Sequence, residues 1–311
     1  MIPRTAHFVW LGPKLPWVYV LGVLSAARRG GFERVVLHHA DELMEGPNLA
    51  LLRAEPRVEL ARLEPLPVLE SAGGVKLVDS YRGLSTPASR VNLLRLGLLD
   101  QAGGVYLDTD TVTLQSFAGL CAAGGVFCGE ERLVFPATAG TAWWSRLRPG
   151  ALARTVARDA MRRLPQGYRL FRRVESYYPT AANNAVLGAE AHHPFLRALI
   201  ERALALPPAR RGVRYAFGTH LLQATLSDWH DPGVRVLPPP VFYPLGPELS
   251  EHWFRRRPGV VLEDVLQAET LLVHWYASVR TDRHVARINR AFVEAHAAEQ
   301  LFSALACRAL G

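Results

Sequence analysis

The chain has 311 residues, a mass of 34.4 kDa and a formal net charge of +8. Its residues are 49% hydrophobic and 21% charged, which is typical of a soluble globular protein and excludes a disordered or collagen-like chain. No apolar run reaches the ~18 residues that a membrane-spanning helix needs, and the N-terminus lacks the basic start and apolar core of a signal peptide.

Short apolar runs alternate with helical patterns in the first half of the chain, which predicts an α/β layering. Thr86 and Pro87 have the residue types of a helix N-cap and first helical position, and Gly103 marks the end of that helix. A short apolar strand then leads to Asp108. Strands are predicted at 6–11, 34–39, 57–63 and 105–107, and helices at 17–29 and 87–102.

The second half of the chain is less regular. Its three cysteines, Cys121, Cys128 and Cys307, lack the spacing of a disulfide framework or a metal site, which favours a cytoplasmic location. Strands are predicted at 126–129, 133–135, 234–237 and 271–276, and helices at 193–206, 217–229 and 283–309.

Two acids, Asp108 and Asp110, follow the predicted strand at 105–107. In an extended chain, residues two apart point the same way, so both carboxylates face one spot and Thr109 is turned away. Two ionised carboxylates this close repel each other unless a cation lies between them. The end of a buried strand is the usual ligand position in open α/β sheets, and hard oxygen ligands suit Mg²⁺ or Mn²⁺. The pattern therefore predicts a divalent metal that holds a diphosphate.

The segment 91–110, VNLLRLGLLDQAGGVYLDTD, resembles the signature of glycosyltransferase family 32. That signature has the pattern S-D-x-x-R-x-x-x-L-x-x-x-G-G-x-Y-x-D-x-D. Three further segments, 2–12, 184–195 and 273–278, are similar to other motifs of the family and occur in the same order. The resemblance therefore extends over most of the chain.

The resemblance implies an α/β protein of the GT-A fold, a single domain with helical additions whose Rossmann-like sheet binds a nucleotide sugar. It places the nucleotide-binding half at about 1–135, and the acceptor-side half with the C-terminal helix at about 136–311. It implies a retaining, metal-dependent transfer of a hexose to a hydroxyl of a glycan or lipid-linked acceptor, without a covalent sugar–enzyme intermediate. A UDP-sugar is the favoured donor, and GDP-mannose is the second candidate.

The same resemblance implies roles for individual residues. Asp108 contacts the ribose and reaches the metal through water, whereas Asp110 binds the metal directly. His274 either completes the shell of Mn²⁺ or Mg²⁺ or is an ordinary buried histidine. Arg95 pairs with the diphosphate or a sugar hydroxyl, and Asn184 lies near the reacting carbon. The implied catalytic residues are Asp108, Asp110, Arg95 and Asn184, and the implied metal ligands are Asp108, Asp110 and His274.

Contacts with the nucleotide sugar are implied in the same way. Trp10 matches a tryptophan that stacks on uracil in related toxins, and a flat indole face suits any base. Asn92 and Val91 depart from the family pattern, which has Asp and Ser there. Because Asn keeps an acceptor but loses the charge, this departure bears on which sugar is bound. The implied donor-binding residues are Phe8, Trp10, Asn92, Arg95, Tyr106, Asp108, Thr109, Trp275 and Ser278.

Alternative interpretations of the acid pair stay open. The two acids can cap a polar turn, and the segment 106–112 also fits a HAD-type phosphatase with Asp108 as nucleophile and Asp110 as general acid. Both lysines, Lys14 and Lys76, precede the motif, so the downstream lysine that such a phosphatase commonly uses is missing.

The basic character of the chain has more than one explanation. Residues 146–173 hold nine arginines and one acid, and the arginines at 255–257 follow Trp253 and Phe254. Such segments fit a solvated surface or a peripheral contact with the inner face of a membrane. A nucleic-acid-binding protein also fits the net charge, but zinc pairs, RNP-like strands and a helix-turn-helix are missing, so no specific nucleic acid is expected.

Overall fold

The computed structural model describes residues 1–134, 149–213, 215–277, 279 and 281–311. Strands form a seven-stranded sheet of order β3-β2-β1-β4-β7-β6-β8 and a two-stranded ribbon of β5 and β9. The strands are β1 Thr5–Trp10, β2 Arg34–His39, β3 Val58–Arg62, β4 Gly104–Leu107, β5 Thr111–Thr113, β6 Val126–Arg132, β7 Thr180–Ala189, β8 Val234–Leu237 and β9 Leu272–His274.

Helices cover both faces of the large sheet. The helices of the first half are α1 Trp17–Arg29, α2 Pro47–Arg53, α3 Pro65–Arg82, α4 Pro87–Ala102 and α5 Ala118–Ala122. Those of the second half are α6 Pro149–Arg163, α7 Gly167–Val174, α8 Pro194–Leu204, α9 Pro208–Arg211, α10 Thr219–Ser227, α11 Pro239–Phe242, α12 Asp282–Val285, α13 Arg290–His296 and α14 Leu301–Leu310. Short 3-10 helices lie at Glu175–Tyr177, Ser250–Phe254 and Leu262–Asp264.

The first four strands are parallel and alternate with helices, which confirms the predicted α/β layering. Successive residues of β4 point to opposite faces: Val105 and Leu107 pack against the α1 side, and Tyr106 packs with α3, α4 and α8. From β1 the chain passes to β2 on one side and later returns to β4 on the other. The carboxyl ends of β1 and β4 therefore flank a topological switch point, where open α/β sheets bind ligands.

Helix α4 delivers the chain to β4, and its ends agree with the prediction. The Thr86 hydroxyl accepts a hydrogen bond from the Ser89 N–H at 3.3 Å, Pro87 is the first helical residue, and Gly103 follows with a φ of +62°. A Cβ at Gly103 would lie 2.7 Å from the Ala191 nitrogen, so a larger residue cannot make this turn without displacing the backbone. The fixed turn sets where β4 ends.

Other predictions were wrong or incomplete. The long helix predicted at 283–309 is three helices, because the side chain of Asn289 accepts from the Phe292 N–H at 2.9 Å and starts α13 anew, and α14 begins after Gln300. Residues 133–134 lie outside any strand, and residue 135 of that predicted strand lies outside the described residues. The pattern also missed α3 and the central antiparallel strand β7. Among the described residues, none of the helices has the length and apolar character to cross a bilayer.

Candidate active site

A cleft of about 840 Å³ opens at the carboxyl ends of β1 and β4. Its floor comes from the end of β1, the turn after β4, the first turns of α4 and the middle of β7. Residues on its wall include Trp10, Tyr19, Asn92, Arg95, Tyr106, Asp108, Thr109, Asp110, Glu131, Asn183, Asn184, Glu248, His274 and Tyr276.

The acids after β4 converge with a histidine from β9. One ligand atom from each of Asp108, Asp110 and His274 lies within 4.8 Å of the others. The acids lie in a turn rather than in extended chain, and the Thr111 hydroxyl closes that turn by donating to the Asp108 carbonyl at 2.7 Å. Thr111 is also the partner of His274 in the β5–β9 ribbon, which brings the imidazole to the acids. The two carboxylates therefore lie close together, as predicted, but a turn brings them together and not the alternation of an extended chain.

Asp110 is held from two sides. Its Oδ2 lies 3.1 Å from His274 Nε2 and accepts a hydrogen bond from the Ala277 N–H at 2.7 Å. Burial acts to raise the pKa of Asp110, but His274 and the Ala277 N–H outweigh it and lower that pKa. Burial likewise acts to lower the pKa of His274, but the Asp110 carboxylate raises it above the ordinary value. Protonated His274 and ionised Asp110 therefore stabilise each other's charge.

Asp108 is held by a buried arginine from α4. Arg95, only 2% exposed, donates from Nη2 to Asp108 Oδ1 at 2.5 Å, and its guanidinium carbon lies 4.2 Å from the centre of the Tyr106 ring. Burial and Asp110 raise the pKa of Asp108, although Arg95 opposes them. Burial disfavours the charge of Arg95, but Asp108 and Tyr106 keep the pKa of the guanidinium raised. Arg95 therefore positions and neutralises Asp108.

A further carboxylate, which the sequence analysis did not single out, lies in the cleft wall. Glu131 at the end of β6 is 6% exposed and accepts a hydrogen bond from the Tyr276 hydroxyl at 2.6 Å. Burial raises the pKa of Glu131, while Tyr276 and Asn183 act to lower it by hydrogen bonding. Tyr276 has a φ of +58°, a left-handed conformation that is an outlier for a bulky residue and occurs mostly at functional sites. The same turn aims the Ala277 N–H at Asp110.

We expect Tyr276→Phe to destabilise the protein through Glu131. The substitution leaves a buried carboxylate without its hydroxyl donor, which costs about 2 kcal/mol and lowers Tm by roughly 3 °C at neutral pH. Because the variant raises the pKa of Glu131 further, the deficit shrinks as the pH falls and the carboxyl protonates in both proteins. Thermal unfolding between pH 5 and 8 measures it, and Tyr177→Phe, at a tyrosine 75% exposed, is the matched control. Equal Tm values for Tyr276→Phe and wild type at neutral pH would contradict the assignment.

The two asparagines predicted from the family motifs meet across the cleft floor. Asn184 donates from Nδ2 to Asn92 Oδ1 at 2.9 Å, which joins β7 to α4. Gly218 packs against the pair, since a Cβ there would lie 3.0 Å from Asn92 Nδ2 and 3.3 Å from Asn184 Nδ2. The pair offers amide groups to a ligand in the cleft and no charge.

The other predicted donor-binding residues are divided between the cleft and the core. Trp10 and Thr109 line the cleft, and the Trp10 ring packs on Tyr19 with centroids 4.8 Å apart. The prediction that Thr109 is turned away from the acids was therefore wrong, because the chain turns there instead of continuing as a strand. Phe8 and Trp275 are fully buried in the hydrophobic core outside the cleft lining, so the fold assigns them to packing. Ser278 lies outside the described residues.

Comparisons with known proteins agree with this architecture. A family described as "Glycosyltransferase sugar-binding region containing DXD motif" matches residues 56–126. The comparison with curated protein sequences finds no match. Among solved structures, mouse xyloside xylosyltransferase 1 is 13% identical, covers 88% of this chain and 98% of its own, and superposes with a TM-score of 0.50.

Two further solved structures are similar at lower scores. The PaToxG glycosyltransferase is 14% identical over 73% of this chain and 69% of its own, with a TM-score of 0.46. The galactosyltransferase LgtC, solved with donor and acceptor sugar analogues, is 12% identical over 87% of this chain and 86% of its own, with a TM-score of 0.40. The matched region contains Arg95, Asp108 and Asp110. Residues 56–126 therefore match a glycosyltransferase sugar-binding region that contains a DXD motif, and the chain has the GT-A fold.

Proposed function

We propose that the protein transfers a hexose with retention from a nucleotide sugar, UDP-sugars first and GDP-mannose second, to a hydroxyl of a glycan or glycolipid. The observation that carries this proposal is the cluster of Asp108, Asp110 and His274 at the floor of a large cleft, at the end of β4. The cleft volume of about 840 Å³ leaves room for a nucleotide sugar beside an acceptor.

The residues of the cluster fit a divalent metal. Two carboxylates and an imidazole nitrogen are a donor set that Mn²⁺ and Mg²⁺ accept, with the imidazole favouring Mn²⁺. His274 Nδ1 is buried and has no hydrogen-bond partner among the described residues, while Nε2 points to Asp110. Asp110 and His274 would hold the ion directly, and Asp108 would reach it through water. A bound ion supplies the positive charge that stabilises a leaving diphosphate.

The side chains of the cleft position the sugar donor. Trp10 offers an indole face to the base, and its contact with Tyr19 fixes the ring. Arg95 holds Asp108 in place, so the carboxylate reaches the donor in a single orientation. Asn92 and Asn184 offer hydrogen bonds to sugar hydroxyls near the bond that breaks. The donor binds among groups that hydrogen bonds already hold in place, and such preorganised groups position a ligand and stabilise charge most effectively.

A buried carboxylate faces the acceptor side of this arrangement. Glu131 and Glu248 both line the cleft. Both follow residue 126 in the chain, where the matched sugar-binding region ends. Because Glu131 keeps its hydrogen bond with Tyr276, it serves as an acceptor for a sugar hydroxyl rather than as a free nucleophile. This is consistent with transfer that has no covalent sugar–enzyme intermediate.

A donor screen tests the proposal directly. We expect one nucleotide sugar of a panel of UDP-glucose, UDP-galactose and GDP-mannose to raise Tm only when Mn²⁺ is present, and to release its nucleotide slowly. Release of phosphate from phosphomonoesters, with no response to any sugar nucleotide, would point to a phosphatase instead. Salt-sensitive binding of DNA without either activity would point to a nucleic-acid-binding protein.

Metal binding should depend on pH through His274. Because Asp110 raises the pKa of His274, a proton competes with the metal for Nε2 at pH values below that raised pKa. We expect the affinity for Mn²⁺ to rise by up to about tenfold per pH unit below that pKa, so the Tm gain from a fixed Mn²⁺ concentration is larger at pH 8 than at pH 6. His274→Gln should remove most of this dependence. A gain that stays the same at both pH values in the wild type would contradict the role of His274.

A further inference from the structure

Helix α6 turns several of its arginines toward the protein and several of its aliphatic residues toward solvent, the reverse of an ordinary surface helix. Its inner face carries Arg154, Arg158 and Arg162, whose charged groups are engaged by the rest of the protein. Its outer face, together with the residue that follows the helix, is exposed and mostly apolar. It carries Leu152, Ala153, Val156, Ala157, Ala160 and Leu164, and one charged residue, Arg163. An ordinary surface helix places its charges outward and its aliphatic residues inward.

The arginines of the inner face are fixed by specific partners. Arg154 donates from Nε to the Val134 carbonyl at 3.2 Å, and Arg158 forms an ion pair with Glu248. These contacts orient the helix, because rotating it to bury the apolar residues would break them. Leu152, Val156 and Leu164 are consequently 58%, 62% and 47% exposed. The orientation is therefore a property of the fold that leaves an apolar strip without a protein partner among the described residues.

The charges around this strip favour an anionic surface. The segment 149–177 holds seven arginines and two acids, and both acids are occupied by arginines: Asp159 lies 2.8 Å from Arg158, and Glu175 lies 2.9 Å from Arg172. Arg163 and Arg173 are exposed. A second copy of this chain would bring these arginines against each other, whereas anionic lipid headgroups complement them.

We propose that the outer face of α6 docks on an anionic lipid bilayer. Leu152, Val156 and Leu164 enter the boundary between headgroups and acyl chains, and Arg163 remains at the level of the lipid phosphates. Arg158 connects the inner face of the helix to Glu248, which lines the cleft, so docking brings one wall of the cleft close to the membrane. An acceptor anchored in lipid is then within reach, a consequence that rests on the proposed function.

Vesicle co-sedimentation of the full chain tests the docking surface. We expect binding to phosphatidylcholine vesicles that contain about one-third phosphatidylglycerol, weaker binding at high salt, and little binding to phosphatidylcholine alone. Val156→Glu should reduce the partition to anionic vesicles about tenfold, because it places a carboxylate at the centre of the outer face. Val75→Glu is the matched control, since Val75 on α3 is also 62% exposed.

Three outcomes would overturn the proposal. The first is that the wild-type chain does not bind anionic vesicles. The second is that Val156→Glu and Val75→Glu reduce vesicle binding equally. The third is that vesicle binding is absent and Val156→Glu changes the oligomeric state measured by light scattering. Thermal unfolding confirms that each variant is folded. Nucleotide release measured without vesicles is independent of Val156, so a failure of docking and a failure of the proposed transferase activity give different results.

Discussion

Replacing Asp110 by Asn is expected to reduce Mn²⁺-dependent release of nucleotide from the sugar donor by about a thousandfold. The substitution keeps the size of the side chain and an oxygen that can accept from the Ala277 N–H, but it removes the charge opposite His274. Loss of a metal ligand removes several kcal/mol of stabilisation from the leaving diphosphate, and each 1.36 kcal/mol is about tenfold in rate.

The stability of this variant separates catalysis from folding. Asp108 and Asp110 repel each other across a small space, so neutralising one of them relieves repulsion while it weakens the contact with His274. We expect a Tm close to that of the wild type without metal and a much smaller Tm gain from Mn²⁺. Asp79→Asn, at an exposed surface pair with Arg82 at 3.7 Å, is the control. A variant at position 110 with wild-type turnover and metal response would remove the basis of the proposed function.

The site after β4 was predictable because its signals are local. An N-cap, a proline, a helix-ending glycine and an apolar strand occur in one continuous segment, and they fix where Asp108 and Asp110 emerge. The helix predicted at 17–29 and the strand at 34–39 are confirmed to the residue, because both are apolar segments with clear ends. Local propensity and burial agree in these elements, so the pattern alone identifies them.

The rest of the site depends on contacts that are distant in sequence. Strand β7 was missed because the polar pair Asn183 and Asn184 interrupts its apolar pattern, and only pairing with β4 and β6 makes it a central strand. Glu131 and Tyr276 are 145 residues apart, so no spacing connects them. One signal was available: Glu131 follows the apolar run of β6 as Asp108 follows that of β4. An acid at the end of a buried strand therefore marks both positions as candidate site residues.

Arg95→Met is expected to show that the arginine compensates a buried charge rather than merely filling space. The methionine keeps much of the volume, but Asp108 then faces Asp110 with no guanidinium at 2.5 Å. Removing one partner of a largely buried pair costs about 3 kcal/mol, or roughly 5 °C in Tm for a chain of this length, at neutral pH. Arg34→Met, at an exposed pair with Glu59 separated by 3.6 Å, should change Tm by no more than about 2 °C.

The pH dependence and a second substitution decide between charge and packing as the cause. Burial already raises the pKa of Asp108, and losing Arg95 raises it further, so the missing stability is greatest at neutral pH and returns as the carboxyl protonates on acidification. Mn²⁺ should raise Tm more in Arg95→Met than in the wild type, because the cation replaces the lost positive charge. In the double variant Arg95→Met with Asp108→Asn, no uncompensated charge remains, and most of the deficit should disappear. If the double variant is instead as unstable as Arg95→Met alone, the loss is one of packing, and Arg95 has no electrostatic role in holding Asp108.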